Sequence, residues 1–167
     1  LRGSPCIYQG EELGLSEAHL SFEQLQDPYG ISMWPEAGGR DGCRTPMVWD
    51  ATKPNAGFSE AKPWLPVKPE QAAHSVSTQI DKPDSVLNFY KKMLRLRKSS
   101  ETLKSGATKF LATQEPILAF TRGEDILCVF NLSPKPQTMK VDGNLMEVVS
   151  EAAQLAKQRL ATAINHL

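Results

Sequence analysis

The stretch DSVLNFYKKMLRLRKSS, residues 84–100, separates two textures of the chain. Within it Val86, Tyr90 and Leu94, with Phe89, Met93 and Leu96, recur at spacings of three and four, which predicts a helix with one broad apolar face. Asp84 suits its N-cap. Lys91, Lys92, Arg95, Arg97 and Lys98 crowd the C-terminal half, where cations complement the helix dipole. Upstream, eight of the twelve prolines lie between Pro28 and Pro83, with no sustained period of 2 or 3.6. An ordered connection of this length is usually a functional loop. Trp34, Trp49 and Trp64 all fall inside it, so the fold must bury or use their rings. Further upstream SPCIYQGEELGL, residues 4–15, opens on a short apolar run consistent with a buried strand, then turns at Gly10 and Gly14. Downstream, strand-like segments recur at 107–112, 117–122, 125–131, 137–141 and 145–149, and Gly123-Glu124 fits a two-residue hairpin loop. From Glu151 the spacing of Ala153, Ala156, Leu160, Ile164 and Leu167 returns to a helical pattern.

The chain has 167 residues, too few for a complete (β/α)₈ barrel of roughly 250. Nineteen basic residues balance nineteen acidic ones, so no general charge draws it to nucleic acid or to an anionic membrane. The basic run of the helix is read as a solvated face for the same reason. No apolar run approaches the length of a membrane span, and Leu1-Arg2-Gly3-Ser4-Pro5 is neither a signal peptide nor a Met start. We therefore expect the sequence to begin inside a longer polypeptide. Cys6, Cys43 and Cys128 form no metal-binding pattern, and His19, His74 and His166 stand apart. Reduced thiols, a cytoplasmic location, and no metal or cofactor are the expectation.

The search for chemistry starts with the carboxylates. Glu11 and Glu12 are adjacent, whereas a retaining glycosidase needs two carboxyls facing each other about 5.5 Å apart. Neighbours on an extended backbone point to opposite sides, so a structural role is expected for both. No GxSxG, GxGxxG or GxxxxGK is present. More informative is GRDGCRTPMVW, residues 39–49, where Arg40 and Arg44 offer planar forks for adjacent hydroxyls, and Asp41, a tight Gly turn and Trp49 complete a set suited to a sugar ring. The same residues could equally pin a loop and plug a core.

YQGEELGL at 8–15, DPYGISMWPEAGGRDGCRTPMVW at 27–49, the helix ending in MLRLRKSS and the following strands together resemble the C-terminal part of a bacterial α-glucosidase of glycoside hydrolase family 13, in the oligo-1,6-glucosidase-like group. The likeness runs in order over about residues 1–149. It implies an α/β plus β fold: the last strand-loop-helix unit of a (β/α)₈ barrel over residues 1–103 and an antiparallel β domain over 104–150, incomplete here because the tail over 151–167, helical by its spacing, departs from the further strands with which the family closes that domain. It also implies that Arg44 holds hydroxyls of the terminal glucose, with Arg40, Asp41 and Trp49 lining or bracing the same pocket. The family's nucleophile, acid/base and transition-state-stabilising carboxylates belong to earlier barrel strands, so no catalytic residue is assigned to this chain.

The function implied is that of part of a retaining α-glucosidase. Such a chain would meet a small oligosaccharide only through its full-length parent, be inactive alone, and self-associate through exposed barrel faces. The alternative is a non-catalytic carbohydrate-binding or protein-interaction module.

Overall fold

The computed structural model describes residues 2–141. The chain divides into two units, Leu1–Phe110 with Phe120–Cys128, and Leu111–Ala119 with Val129–Leu167. The first holds five helices: α1 (Pro28–Ser32), α2 (Pro69–Ala72), α3 (Val76–Gln79), α4 (Val86–Ser99) and α5 (Glu101–Ser105). Three strands, β1 (Thr108–Phe110), β2 (Ile117–Arg122) and β3 (Ile126–Asn131), follow in sheet order β1-β2-β3, and β2 and β3 each pass from one unit to the other. β1 and β2 are antiparallel, with Thr108 opposite Arg122 and Phe110 opposite Phe120. The small antiparallel sheet is as expected. Among the described residues no helix is long and apolar enough to cross a membrane.

Several expectations are corrected. The apolar run Cys6-Ile7-Tyr8 forms no strand and is exposed. A strand owes its order to a neighbour's backbone, and no described segment supplies a ladder there. Instead Gly10 and Gly14, both left-handed, bracket a 3₁₀ turn at Glu11–Leu13. The N-cap of α4 is Ser85, one residue beyond Asp84: its hydroxyl accepts from the Asn88 amide at 3.2 Å and donates to the Gln79 carbonyl at 2.9 Å. The predicted apolar face of α4 is largely uncovered, with Phe89, Met93 and Leu94 exposed and Leu87 the one buried residue of the helix.

The loop of β2–β3 has three residues, not two. Gly123 sits at φ +57 and its amide donates to the Ala107 carbonyl. A Cβ there would come within 2.8 Å of Thr102 Cγ2. No strand forms at 137–141, just after Pro134 and Pro136, which have no amide to donate. The segments at 145–149 and 151–167 lie outside the described residues.

The irregular region is built from short helices around a small core. Leu13, Met47, Val48, Ala56 and Leu87 are its buried members, with Leu15, Val67, Ala72 and Val76 packed against them. Buried amides stitch the pieces together. Gln79 Nε2 donates to the carbonyls of Leu13 at 2.9 Å and His74 at 2.7 Å, while its Oε1 accepts from the Leu87 amide at 3.1 Å. One side chain thereby joins the first turn, α3 and α4. Backbone bonds from Val76 to Val48 and from Ser77 to Trp49 tie α3 to the end of the Arg-rich loop.

Candidate functional site

Residues 26–49 come together through two carboxylates that grip each other's backbone. Asp41 is fully buried, and its Oδ2 accepts from the amides of Gln26 at 2.5 Å and Asp27 at 2.7 Å. Asp27 in turn accepts the Arg40 amide on Oδ2 at 2.9 Å and the Tyr29 amide on Oδ1 at 3.1 Å, so it caps α1 and holds the far side of the loop together. The bonds from the Arg40 and Tyr29 amides, with smaller contributions from the Arg44 and Arg40 charges, hold the Asp27 carboxyl below its ordinary range. Asp27 was not among the residues expected from the sequence. Its signal is Asp-Pro at a helix start, an N-cap followed by proline at the first helical position.

Glycines permit the close approach on which this clasp depends. A Cβ on Gly39, at φ +70, would stand 2.7 Å from Asp27 Oδ2 and 2.8 Å from Gly30 Cα. A Cβ on Gly42 would stand 2.5 Å from the Ala18 carbonyl oxygen. The Gly42 carbonyl accepts from the Ala18 amide at 3.0 Å, which docks the loop on the segment leaving the first turn.

The four residues expected at the site therefore have different surroundings. Asp41–Cys43 forms a 3₁₀ turn with Arg40 and Arg44 as its caps, and both arginines are exposed while Asp41 between them is buried. Asp41 faces its own loop's backbone, and its Oδ1 is buried without a hydrogen-bond partner. Neither Arg40 nor Arg44 has an ion-pair partner among the described residues. Trp49 is half exposed, and its amide donates to the Ala56 carbonyl at 2.8 Å. The ring stays available because Met47 and Val48, just before it, take the core positions. All three tryptophans keep exposed surface.

The adjacent carboxylates Glu11 and Glu12 turn inward to backbone amides, Glu11 Oε2 accepting from Tyr8 at 3.1 Å and Glu12 Oε2 from Gly10 at 2.9 Å. They brace the turn. A small cavity of about 80 Å³ lies between this turn and the Arg loop, lined by residues that include Tyr8, Glu17, Cys43 and Gln71. No group of three or more His, Cys, Asp or Glu suited to a metal occurs among the described residues, and the three cysteines are unpaired.

The family described as "Alpha amylase, catalytic domain" matches residues 1–106. A probable alpha-glucosidase of Rhizobium meliloti is 46% identical over 150 residues, covering 88% of this chain and 27% of that protein. An oligo-1,6-glucosidase of Parageobacillus thermoglucosidasius is 30% identical over 173 residues, covering 90% of this chain and 31% of its own. Among solved structures, the alpha-glucosyl transfer enzyme XgtA superposes with a TM-score of 0.78 at 47% identity, over 87% of this chain and 28% of its own. The chain thus spans about a quarter to a third of the length of these relatives. On these matches the chain belongs to the alpha-amylase catalytic-domain family, within glycoside hydrolase family 13 and alongside its α-glucosidases and oligo-1,6-glucosidases.

Proposed function

We propose that the chain forms one wall of the sugar pocket of a retaining, exo-acting α-glucosidase that releases terminal α-linked glucose from small oligosaccharides. The observation that carries this reading is the alternation at residues 40–44, in which two exposed guanidinium groups flank a carboxylate spent on its own backbone. Asp41 Oδ2 is taken by two backbone amides, and among the described residues Asp41 makes no ion pair with either arginine, so both guanidinium forks stay open. Arg44 presents its fork to two vicinal hydroxyls of the terminal glucose, Arg40 supports it, and the Trp49 ring offers an apolar face to the sugar. Asp41 acts by position alone.

The reaction assigned to the whole enzyme is a double displacement. A carboxylate attacks the anomeric carbon as a protonated carboxyl gives its proton to the leaving oxygen, and water then releases the glucosyl group while the second carboxyl takes a proton back. In this reading the chain supplies none of those carboxyls, which the engagement of Glu11 and Glu12 with backbone amides, and of Asp27 and Asp41 with each other's loops, supports. Its part is orientation of the sugar. A cytoplasmic location belongs to the same reading, supported by three unpaired thiols.

In the full-length enzyme, Arg44→Ala is expected to lower kcat/KM for maltose at least about tenfold, since a charge-assisted hydrogen bond is worth about 1.5–3 kcal/mol. Arg44→Lys should be nearly as harmful, because an ammonium cannot present the fork. Unchanged kinetics in both variants would remove Arg44 from the pocket. The chain on its own is expected to release no nitrophenol from nitrophenyl α-glucoside.

A further inference from the structure

A second cavity, of about 540 Å³, is larger than the one beside the Arg loop and separate from it. Its lining includes Glu23, Gln26, Lys62 and Trp64, and it includes none of Arg40, Arg44 or Trp49. We propose that it is a second saccharide-binding site, in which Trp64 is the stacking platform and Glu23, Gln26 and Lys62 supply the hydroxyl partners. The choice of a sugar rests on the reading of the chain as part of an oligosaccharide-acting enzyme. The site itself stands on its own geometry.

Three features distinguish it from an accidental hollow. Trp64 is 66% exposed, more than either other tryptophan, although burying such a ring is among the most favourable things a fold can do. The chain on both sides of it is stiff, since Pro63, Pro66 and Pro69 restrict the backbone that carries the ring. The walls are also anchored from outside. Asn55 Nδ2 donates to the carbonyls of Ser59 at 2.7 Å and Ala61 at 3.0 Å, and Lys68 Nζ donates to Gln24 Oε1 at 2.8 Å across 44 residues of chain. The Gln26 amide is held by Asp41 Oδ2, which fixes the backbone of that wall without using its side chain. A volume in the usual range of ligand sites, with an aromatic face and a few polar groups on rigid supports, is what a preorganised site requires.

The polar groups choose the ligand class. Glu23 offsets one of the two ammonium groups, Lys62 and Lys68, and Lys68 is tied to Gln24, so the cavity carries one excess positive charge and not the cluster of cations that a phosphate site uses. Carboxylate, amide and ammonium together offer both acceptors and donors. Hydroxyl groups need that mixture, since each one donates and accepts. A neutral gluco-oligosaccharide fits this pattern, laying the C–H face of one ring on Trp64 and giving its hydroxyls to the polar lining.

The test is calorimetric titration of the full chain with maltotriose, and separately with inorganic phosphate. Wild type should bind maltotriose with a dissociation constant in the millimolar range. Trp64→Ala should weaken binding about tenfold or more, equivalent to about 1.4 kcal/mol, while Trp64→Phe, which keeps a ring, retains most of it. Circular dichroism should be unchanged in all of them, because the exposed Trp64 contributes little to the core. No binding by wild type, or full binding by Trp64→Ala, would each overturn the proposal. Phosphate binding that excludes maltotriose would overturn it too. Kinetics of Arg44→Ala in the full-length enzyme report on the other pocket, so the two readings fail separately.

Discussion

Residues 26–49 and the hairpin of β2 and β3 are ordered by opposite means. The hairpin and its neighbour β1 use repeating backbone bonds that most residues could make, as in the facing pairs Lys109–Thr121 and Phe110–Phe120. The Arg loop has no ladder. Its order comes from two aspartates, each accepting backbone amides from the other's segment, and from glycines that let those segments touch. A ladder spreads its stability over many interchangeable bonds, whereas a clasp concentrates it in a few side chains. Tolerance to substitution should therefore differ sharply between the two.

The largest effect is expected from Asp41→Ala. It leaves two part-buried amides without their acceptor, so a loss of about 1–3 kcal/mol in urea unfolding is expected. Asp41→Asn keeps an oxygen acceptor and should cost about half as much. If Asp41→Ala unfolds like wild type, the clasp does not order the loop. Next comes Gly42→Ala, whose methyl group would meet the Ala18 carbonyl oxygen and Glu17 Cγ, at a cost of about 1–3 kcal/mol by the same measurement. A neutral result there would mean that the segments do not approach so closely.

A third experiment sharpens the electrostatic half of the contrast. The folded-state Asp27 carboxyl titrates below its ordinary value of 3.8, so its contribution is present above that value and is lost as the pH falls through the depressed one. The advantage of wild type over Asp27→Asn in thermal midpoint should hold at neutral pH and shrink as acid is added below the ordinary carboxyl value of 3.8. An advantage independent of pH would make the role of Asp27 purely steric. The smallest effect is expected in the ladder: Lys109→Thr, opposite Thr121, should change stability by no more than about 0.5 kcal/mol, and a loss of several times that would erase the distinction between the regions.

The same division governs what could be read from the amino acids. The strands at 117–122 and 126–131 and the helix at 86–99 announce themselves by alternation or by three-and-four spacing, because each is long enough to show its period. Helices α1, α2 and α3, of four or five residues, complete barely one turn and leave no periodic trace. The strand expected where residues 4–15 open failed for another reason, since apolar residues favour pairing but cannot provide a partner. At the site, the importance of residues 39–49 was legible from residue types. The division of labour inside it was not: nothing in the letters says that Asp41 turns inward while Arg40 and Arg44 turn out, because that depends on where the amides of Gln26 and Asp27 arrive from a distant segment. Gln79 was invisible for the same reason.

Those long-distance stitches bear on how the chain would survive being cut. The amide of Gln79 on Leu13, that of Gln71 on Ser16 and the ammonium of Lys68 on Gln24 all join residues after the exposed stretch Glu60–Ala61–Lys62 to residues well before it. A protease nick in that stretch severs no part of the small core and none of these bonds. The two pieces should stay together and elute as one species under native conditions, parting only in denaturant, which makes residues 60–62 a natural place to split the chain or to insert a reporter peptide.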